Sequence, residues 1–315
     1  MANKRVEFTD KDVLALRERT GAVMMDCKKA LKEAEGDADR AVDILREKGL
    51  AAAAKKAGRI AAEGLVAVAF CEECGAAAMV EVNSETDFVA KNPEFVELVN
   101  TAAEAALNGD YADVDALLGA ETKEGKLSDL ITAKIAKIGE NMSLRRFAKF
   151  NDPGCVCVDY IHGNGKIGVL VELETEASAA EVAEVGRNVA MQIASMNPRF
   201  VSKDNVDEEY LEKEKHILLQ QALNENAELE KPKPEAIVEK MVMGRLNKEL
   251  KEVCLLEQSY VKDGELTVKQ YVASAAKALG KDLKVKDFVR FEVGEGIEKK
   301  QDDLAAEVAK MNAGK

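Results

Sequence analysis

The sequence predicts an α+β fold: an N-terminal three-helix domain, a core of two related α+β halves with antiparallel sheets, a protruding antiparallel helix hairpin and a C-terminal helix. The chain has 315 residues, more than one domain usually holds, and 47% of them are apolar, so it can bury more than one core. Aromatic residues make up only 4%, which favours helices with aliphatic cores. The apolar spacing changes from helical to alternating after residue 58, and a similar alternating unit begins near residue 155.

Residues 9–49 predict three short helices. Thr9 begins a capping signal for the first helix, and Gly36 and Gly49 are expected to end the second and the third. Three helices in so short a segment resemble the ubiquitin-associated (UBA) type of bundle, which is marginally stable alone. Residues 51–58 are rich in Ala and predict a helical linker to the core.

Two hairpins, each followed by an amphipathic helix, predict the two halves of the core. The predicted strands and helix are 65–70, 77–82 and 93–107 in the first half, and 156–161, 167–173 and 179–196 in the second. The segment Asn197-Pro-Arg-Phe-Val201 echoes Asn92-Pro-Glu-Phe-Val96, which suggests that the halves repeat one another.

Residues 206–253 predict an antiparallel helix hairpin, because two helical apolar stripes are interrupted by a Pro-containing segment at 230–235. The narrow seams and charged flanks indicate an arm that projects from the body and can pair with a second copy of the chain. A hairpin that packs on the body would explain the seams equally well. The chain then returns to a strand at 285–293 and closes with an amphipathic helix at 304–311.

These elements divide the chain into six parts. They are the UBA-like domain and linker (1–57), the first core half (58–140), the first part of the second half (141–204), the helix-hairpin arm (205–252), the second part of the second half (253–297) and the C-terminal helix module (298–315).

Composition limits the function. The chain carries 45 Lys and Arg against 58 Asp and Glu, and this net charge of −13 argues against nucleic acid as a direct partner. No apolar run approaches the roughly 18 to 20 residues of a membrane-spanning helix, and the first residues lack an apolar signal core, so we expect a cytoplasmic protein with no membrane partner.

The six cysteines are expected to be reduced thiols rather than a disulfide framework. Cys71 and Cys74 have CxxC spacing, and Cys155 and Cys157 begin a later strand. Together they could supply a zinc site or a redox pair, but nothing in the sequence brings the two pairs together, so we predict ordinary thiols, no metal and no cofactor.

The sequence contains no catalytic constellation: no Gly-rich phosphate loop, no nucleophile beside a His and no HExxH motif. His162 lies in a Gly-Asn-Gly turn, where a lone His is usually solvated but can also be a surface contact. We predict no catalytic residues, and therefore a protein that acts by binding.

Two segments have the composition of binding surfaces. In the first, Met24 and Met25 lie at a helix start, where adaptable Met side chains suit a binding face, although core packing is their commoner use. In the second, residues 81–91 leave a strand and turn towards a helix. Spacing alone favours a structural role there, with Thr86 or Asp87 capping the helix and Phe88 packed inward.

These segments closely resemble the signature regions of the translation elongation factor Ts family. The resemblance covers nearly the whole chain, and several unlinked motifs occur in the right order. The motifs are the N-terminal helices, Thr86-Asp-Phe-Val89, Lys137-Ile-Gly-Glu-Asn141 with Arg145-Arg146, His162-Gly with Ile167-Gly-Val-Leu170, and Arg290-Phe-Glu-Val-Gly-Glu-Gly-Ile-Glu298. Val23 departs from the family pattern, which usually has glycine there, and a β-branched residue is unfavourable at positive φ.

The resemblance implies a guanine-nucleotide exchange factor, without covalent chemistry, that binds elongation factor Tu in its GDP form. Phe88 would wedge between two helices of this GTPase, and Asp87 would disturb the residues and water that orient its Mg²⁺. Thr86 and Val89 would fix the conformation of the segment. GTP would displace the exchange factor from its partner.

The resemblance also implies further contacts. Met24, Met25 and Lys28 would grip the nucleotide domain of the GTPase, and His162 would touch it elsewhere. The helix hairpin would form a homodimer or a two-plus-two complex. The competing interpretations are a non-catalytic scaffold or polypeptide-binding protein that uses the UBA-like domain, and a thiol redox or zinc protein that uses Cys71 and Cys74.

Overall fold

The computed structural model describes residues 8–20, 22–71, 75–229 and 231–298. Its N-terminal domain contains helices α1 (Asp10–Thr20), α2 (Met24–Glu33) and α3 (Ala38–Lys56). As predicted, Thr9 precedes the first helix as a cap, because its backbone N–H and its hydroxyl both donate to Asp12 Oδ2, at 2.7 and 2.8 Å. The helices bury a small core made of Val13, Leu16, Cys27, Ala30, Leu31, Ala34, Ala41 and Ile44.

The first half of the core is a three-stranded antiparallel sheet in the order β1 (Glu63–Phe70), β2 (Ala77–Ser84) and β5 (Met142–Phe150). The elements between β2 and β5 are α4 (Asp87–Ala90), α5 (Pro93–Asn108), α6 (Val114–Leu118), β3 (Glu121–Thr122), β4 (Gly125–Lys126) and α7 (Leu127–Ile138). The core lies between the sheet and α5, and its buried residues from that helix include Phe95, Leu98, Val99, Ala102 and Ala106.

The third helix does not end at Gly49 as predicted. Helix α3 continues through the Ala-rich segment to Lys56, so the expected helix end and linker are one helix. Gly49 is buried against α7, where an added Cβ would lie 3.7 Å from Thr132 Cγ2. The glycine therefore marks the close approach of two helices, and Arg46 reinforces this contact by an ion pair with Asp129 at 2.5 Å.

The second half is a three-stranded antiparallel sheet in the order β10 (Leu283–Glu292), β7 (Ile167–Thr175) and β6 (Cys155–His162). The other elements of this half are α8 (Ala179–Met196), β8 (Ser259–Tyr260), β9 (Asp263–Thr267) and α11 (Val268–Leu279). Each half thus has a hairpin, a covering helix and a third strand that pairs with the second, which confirms the prediction of two related α+β halves.

The Asn-Pro echo, however, does not mark equivalent positions. Asn92 is the N-cap of α5, where its side chain accepts a hydrogen bond from the Glu94 N–H at 2.9 Å. Asn197 follows α8 as its C-cap, in the left-handed conformation with φ 46°. Asn favours both positions, so the same short sequence begins one helix and ends another.

The two halves are joined by backbone and side-chain contacts. The Val66 N–H of β1 donates to the Gly165 carbonyl in the β6–β7 turn at 2.8 Å. Gly165 allows this approach, since a Cβ there would lie 2.7 Å from Leu65 Cδ2. Glu81 of β2 accepts a hydrogen bond from the Gly294 N–H, beyond β10, at 2.9 Å. The β6–β7 turn and the end of β10 are therefore held against the first half.

The predicted helix hairpin consists of α9 (Glu208–Ala227) and α10 (Glu235–Val253). We call residues 208–253 the arm. Among the described residues, the buried cluster in the distal part of the arm contains arm residues alone, namely Ala222, Val238 and Val242 with Leu218 and Leu219. A second cluster at its base includes Phe200, Val206 and Cys254. This packing corresponds to an arm that projects from the body.

Within the described residues, no helix has the length and apolar character needed to cross a lipid bilayer. The predicted helix at 304–311 lies outside the described residues.

Candidate partner-binding site

The segment that follows β2 presents one aromatic side chain to solvent. Phe88 is 80% exposed, whereas its neighbour Val89 is only 6% exposed and belongs to the core of the first half. The expectation from spacing, that Phe88 packs inward, is therefore wrong. In the four-residue helix α4, Val89 and Ala90 are the buried residues, and Phe88 projects outward. We call Thr86 to Val89 the tip segment.

Thr86 is the N-cap of α4, but its side chain does not cap the helix. The hydroxyl donates instead to Glu140 Oε1 at 2.7 Å, and the Thr86 backbone N–H donates to Glu140 Oε2 at 3.0 Å. A single carboxylate thus receives both donors of Thr86. Because such charge-assisted bonds are stronger than neutral ones, they fix the direction in which the chain enters the tip segment.

Asp87 carries an ionised carboxylate next to Phe88. Lys91, one helical turn later, donates to Asp87 Oδ2 at 2.7 Å. This bond, together with the more distant charge of Lys166, holds the pKa of Asp87 below its ordinary value of 3.8. The ammonium group of Lys91 also lies 5.9 Å from the centre of the Phe88 ring. The tip segment therefore combines an exposed aromatic ring with a fixed negative charge.

The residues before the tip segment are tied to the end of α7. Glu85 Oε1 accepts a hydrogen bond from the Asn141 backbone N–H at 2.6 Å. The Asn141 side chain in turn donates to the Arg59 carbonyl, after α3, at 2.8 Å. The tip is consequently connected to both α7 and the segment that follows the N-terminal domain.

The N-terminal domain places the predicted Met24, Met25 and Lys28 at the start of α2. Met24 is 40% and Met25 is 60% exposed, and neither belongs to the core of the three helices. Lys28 is also exposed, with Asp10 4.0 Å from its ammonium group. Val23 fits its position without strain, because its φ is −65° and not positive.

His162 ends β6 and is exposed, as expected of a turn residue. Its Nδ1 lies 3.0 Å from the hydroxyl of Tyr160, two residues earlier on the same face of the strand. This hydrogen bond orients the ring, so His162 is not merely a solvated side chain.

Among the described cysteines, Cys71 departs from the expectation of reduced thiols. Cys71 is disulfide-bonded, whereas Cys27, Cys155, Cys157 and Cys254 are free thiols. Burial raises the pKa of Cys157 to about 12, so this thiol is protonated at neutral pH and is a poor metal ligand. Among the described residues, no group of three or more His, Cys, Asp or Glu side chains is placed to hold a metal ion. Cys74 lies outside the described residues.

The predicted site residues thus occupy three surfaces. Thr86 to Val89 form one segment, the Met24–Lys28 group lies on α2, and His162 lies at the end of β6. Sequence reasoning from residue types did not identify Glu140 or Lys91 as neighbours of the tip segment. The Lys91 contact has an i, i+4 spacing from Asp87 that could have signalled it, whereas Glu140 is 54 residues from Thr86 and carried no local signal.

Comparison with known proteins identifies the family. Residues 85–295 match the family model described as elongation factor TS. The chain is 59% identical to elongation factor Ts of Clostridioides difficile (strain 630) over 305 residues, which cover 96% of this chain and 98% of the relative. It is 53% identical to elongation factor Ts of Clostridium perfringens (strain SM101 / Type A) over 305 residues, or 96% and 99% of the two chains. The elongation factor Ts of Clostridium botulinum (strain ATCC 19397 / Type A) is 52% identical over 309 residues, or 97% and 99%. Because these matches extend over nearly the whole chain, the protein belongs to the elongation factor Ts family of translation elongation factors.

Proposed function

We propose that this protein binds elongation factor Tu in its GDP form, promotes the release of GDP, and remains bound until GTP displaces it. The observation that carries the proposal is the 80% exposure of Phe88 on a segment that Glu140 and Val89 hold in place. A large aromatic side chain that projects from a fixed segment is the kind of anchor that fills a pocket on a partner.

Phe88 provides the wedge. It lies between a residue buried in the core and a carboxylate held by Lys91, so little conformational entropy is lost when it enters an apolar pocket. Insertion between two helices of the GTPase separates elements that close around the nucleotide. The apolar ring makes this insertion favourable once water is excluded.

Asp87 acts on the metal side of the nucleotide site. Its carboxylate is ionised at neutral pH, and the hydrogen bond from Lys91 lowers its pKa further below the ordinary value of 3.8. A carboxylate brought near the GTPase's Mg²⁺ competes for the residues and water that orient the ion, and such outer-shell partners strongly affect metal affinity. Weakening the Mg²⁺ site weakens the hold on GDP phosphates.

Exchange needs no covalent step. If the exchange factor lowers the affinity of the GTPase for GDP, then nucleotide lowers the affinity for the exchange factor by the same factor. GTP can therefore displace the protein and complete the cycle. The protein needs no cofactor of its own for this role, since the Mg²⁺ belongs to the partner.

Two further surfaces enlarge the interface. Met24, Met25 and Lys28 on α2 offer adaptable apolar contacts beside a positive charge, which suits the nucleotide domain of the GTPase. His162, oriented by Tyr160, offers a polar contact from the second half of the core. These surfaces provide affinity, while the tip segment provides the effect on GDP.

The arm provides a surface for a second copy of the chain. Ile217, Leu223, Ile237 and Met243 are exposed on it, at 38%, 41%, 46% and 45%. Apolar residues left outside the seam of a helix pair can pack against a further pair of helices. A homodimer, and with the GTPase a two-plus-two complex, follows from such pairing.

Stopped-flow release of a fluorescent GDP analogue from elongation factor Tu tests the proposal. Wild-type protein should strongly accelerate release. The Asp87→Ala/Phe88→Ala variant should lose at least roughly tenfold of this acceleration, about 1.4 kcal/mol. Its melting temperature should be unchanged, because Phe88 is exposed and Asp87 makes only a surface ion pair.

The matched control is Val261→Ala, which removes an apolar side chain of 47% exposure far along the chain from the tip segment. This variant should accelerate release as the wild type does. If wild-type protein binds the GTPase without speeding release, the alternative of a scaffold that uses the UBA-like domain is favoured. If it does not bind, the proposal fails.

A further inference from the structure

We infer that Glu140 is a positioning residue for exchange: it holds the tip segment in its active direction before the partner arrives. This inference rests on the proposed function and deepens it. Glu140 is not itself exposed at the tip, and its two carboxylate oxygens are both occupied by Thr86.

Glu140 and Thr86 are joined by two hydrogen bonds. Glu140 Oε1 and Oε2 accept from the hydroxyl and from the backbone N–H of Thr86, at 2.7 and 3.0 Å. The neighbouring residues, Glu85 and Asn141, form a third hydrogen bond, in which the Asn141 N–H donates to Glu85 Oε1 at 2.6 Å. In this bond the donor belongs to the segment that holds the acceptor in the other two. Two adjacent residues of one segment are thus joined to two adjacent residues of the other. This arrangement restricts rotation as well as distance.

Helix α7 holds the chain that leads into Glu140. Glu140 can position the tip segment only if the chain before it is fixed, and it follows α7 after the C-cap residue Gly139. Ile131 and Ile135 of α7 are buried in the core of the first half. On its other side, α7 packs against α3, where Lys56 Nζ donates to the Ile135 carbonyl at 3.3 Å.

The chain that follows the tip segment is also attached to α7. Helix α5 begins just after α4, and its Glu94 forms ion pairs with Lys134 and Lys137 of α7, at 3.2 and 2.8 Å. The last turn of α7 and the residues after it therefore hold the chain both before and after Asp87 and Phe88. Between these two attachments, the side chain of Val89 is buried in the core of the first half.

Loss of Glu140 is expected to impair GDP release more than folding. Without Glu140, Thr86 can still bind water, so the fold loses little, but the tip segment gains conformations in which Phe88 points away from the pocket. Docking through α2 and β6 would persist, whereas the insertion step would carry the entropy of ordering the tip. Loss of Glu140 should thus lower the maximal rate of GDP release more than it raises the concentration needed for half-saturation.

The experiment compares Glu140→Ala and Glu140→Gln with wild type in the saturating GDP-release assay. Glu140→Ala should lower the maximal release rate about tenfold, as expected for loss of charge-assisted hydrogen bonds, with less than about a twofold change in half-saturating concentration. Glu140→Gln keeps one acceptor oxygen, so its maximal release rate should lie between those of the wild type and Glu140→Ala. Glu97→Ala, which removes an exposed glutamate from α5, is the control and should behave as wild type.

Two additional measurements separate positioning from other roles. On the Asp87→Ala/Phe88→Ala background, Glu140→Ala should cause no further loss, because both groups that it positions are absent. An equal tenfold loss on both backgrounds would overturn the inference. In the free protein, the amides of Lys91 and Asn92 donate to the Phe88 and Val89 carbonyls, at 3.2 and 2.9 Å. Hydrogen exchange at these two amides should accelerate in Glu140→Ala and keep the wild-type rate in Glu97→Ala.

Hydrogen exchange also distinguishes the two proposals, because it requires no GTPase. If wild-type protein fails to speed GDP release but exchange at Lys91 and Asn92 still depends on Glu140, the proposed function is wrong and the contact is structural. If exchange at Lys91 and Asn92 is unchanged in Glu140→Ala, Glu140 does not order the tip, whatever the release assay shows. The variants Thr86→Val and Thr86→Ser should reproduce this contrast from the other side of the contact, with only Thr86→Val losing the hydroxyl.

Discussion

Glu81 and Glu172 differ in charge behaviour although both are buried on the central strand of their sheet, with 0% and 2% of their surface exposed. Burial alone would raise the pKa of Glu81, but hydrogen bonds from the Gly294 N–H and from two arginines outweigh burial and lower it. Glu172 has weaker compensation, from a backbone N–H at 3.3 Å and an ammonium group at 3.7 Å, and burial raises its pKa. Hydrogen-bond partners therefore decide which of the two carboxyls is readily ionised.

Glu81→Gln is expected to lower the free energy of unfolding at neutral pH by on the order of 3 kcal/mol, because Arg145 and Arg146 lose their shared carboxylate. The folded-state pKa lies below the ordinary value of 4.5, so the stabilisation is complete above pH 4.5 and is lost as the pH falls through the lower folded value. Urea unfolding between about pH 3 and pH 7 measures this, and the difference between wild type and variant should shrink at the acid end.

Glu172→Gln is the matched control for this prediction. Its folded-state pKa lies above the ordinary value, so ionisation of Glu172 removes stability as the pH rises through the folded value. The variant should be at least as stable as wild type at neutral pH. Similar losses for both variants would show that burial, and not the arginines, governs these sites.

At the scale of elements, the close crossing of α3 and α7 joins the N-terminal domain to the core. Gly49 lies within α3 at this crossing, and an added Cβ would meet Thr132 Cγ2 at 3.7 Å and Ala136 Cβ at 3.9 Å. These are ordinary van der Waals distances, so the space admits one methyl group and no more.

Gly49→Ala is therefore expected to raise the free energy of unfolding by about 0.5 to 1 kcal/mol, because alanine restricts the unfolded chain and favours the helix. Gly49→Leu should destabilise the protein and loosen the N-terminal domain, since the larger side chain forces the helices apart. Thermal unfolding of both variants measures this. A loss of stability in Gly49→Ala would contradict the packing described for the crossing.

Local signals predicted some elements well. Helix α8 occupies the predicted residues 179–196, because its apolar period and its Ser178 capping box are both local features. Strand β5 was missed, since its adjacent arginines break the alternation of a strand. The pairing of β2 with β5 shifts register next to Glu81, and this bulge allows both arginines to reach the same carboxylate. Glu81 lies 64 residues before Arg145 and 65 before Arg146, beyond any local pattern.

The tip segment shows the same limit. Spacing predicted that Thr86 or Asp87 caps the helix while Phe88 packs inward, but the structure buries Val89 and exposes Phe88. The family resemblance, and not periodicity, indicated an exposed ring. The role of Glu140 emerged only from the structure, since its contact with Thr86 joins the two ends of a segment that contains α4 to α7.

At the scale of the whole molecule, the arm and the tip segment are built differently. The tip segment is attached to the first core half through Val89, Glu85 and Thr86. In the part of the chain that the structure describes, the buried cluster of the distal arm consists of arm residues alone. The arm can therefore change its partners without disturbing the tip, and self-association should be separable from nucleotide exchange.

The variant Leu223→Glu/Ile237→Glu tests this separation. It places charges on two exposed positions of the arm, so it should shift the protein towards monomer in sedimentation experiments while its melting temperature and its stimulation of GDP release stay the same. Val261→Glu, at a similarly exposed position outside the arm, should leave the oligomeric state unchanged. A fall in melting temperature for the arm variant would indicate that these residues pack on the body.

The most direct test of the central claim is an equilibrium titration of the affinity of elongation factor Tu for GDP, measured at increasing concentrations of this protein. Linkage predicts that the affinity for GDP weakens progressively and reaches a plateau. The total loss of affinity at the plateau should be smaller for Phe88→Ala than for the wild type. An affinity for GDP that stays constant while the two proteins demonstrably bind would contradict the account, because a partner without differential affinity for the two states cannot drive exchange.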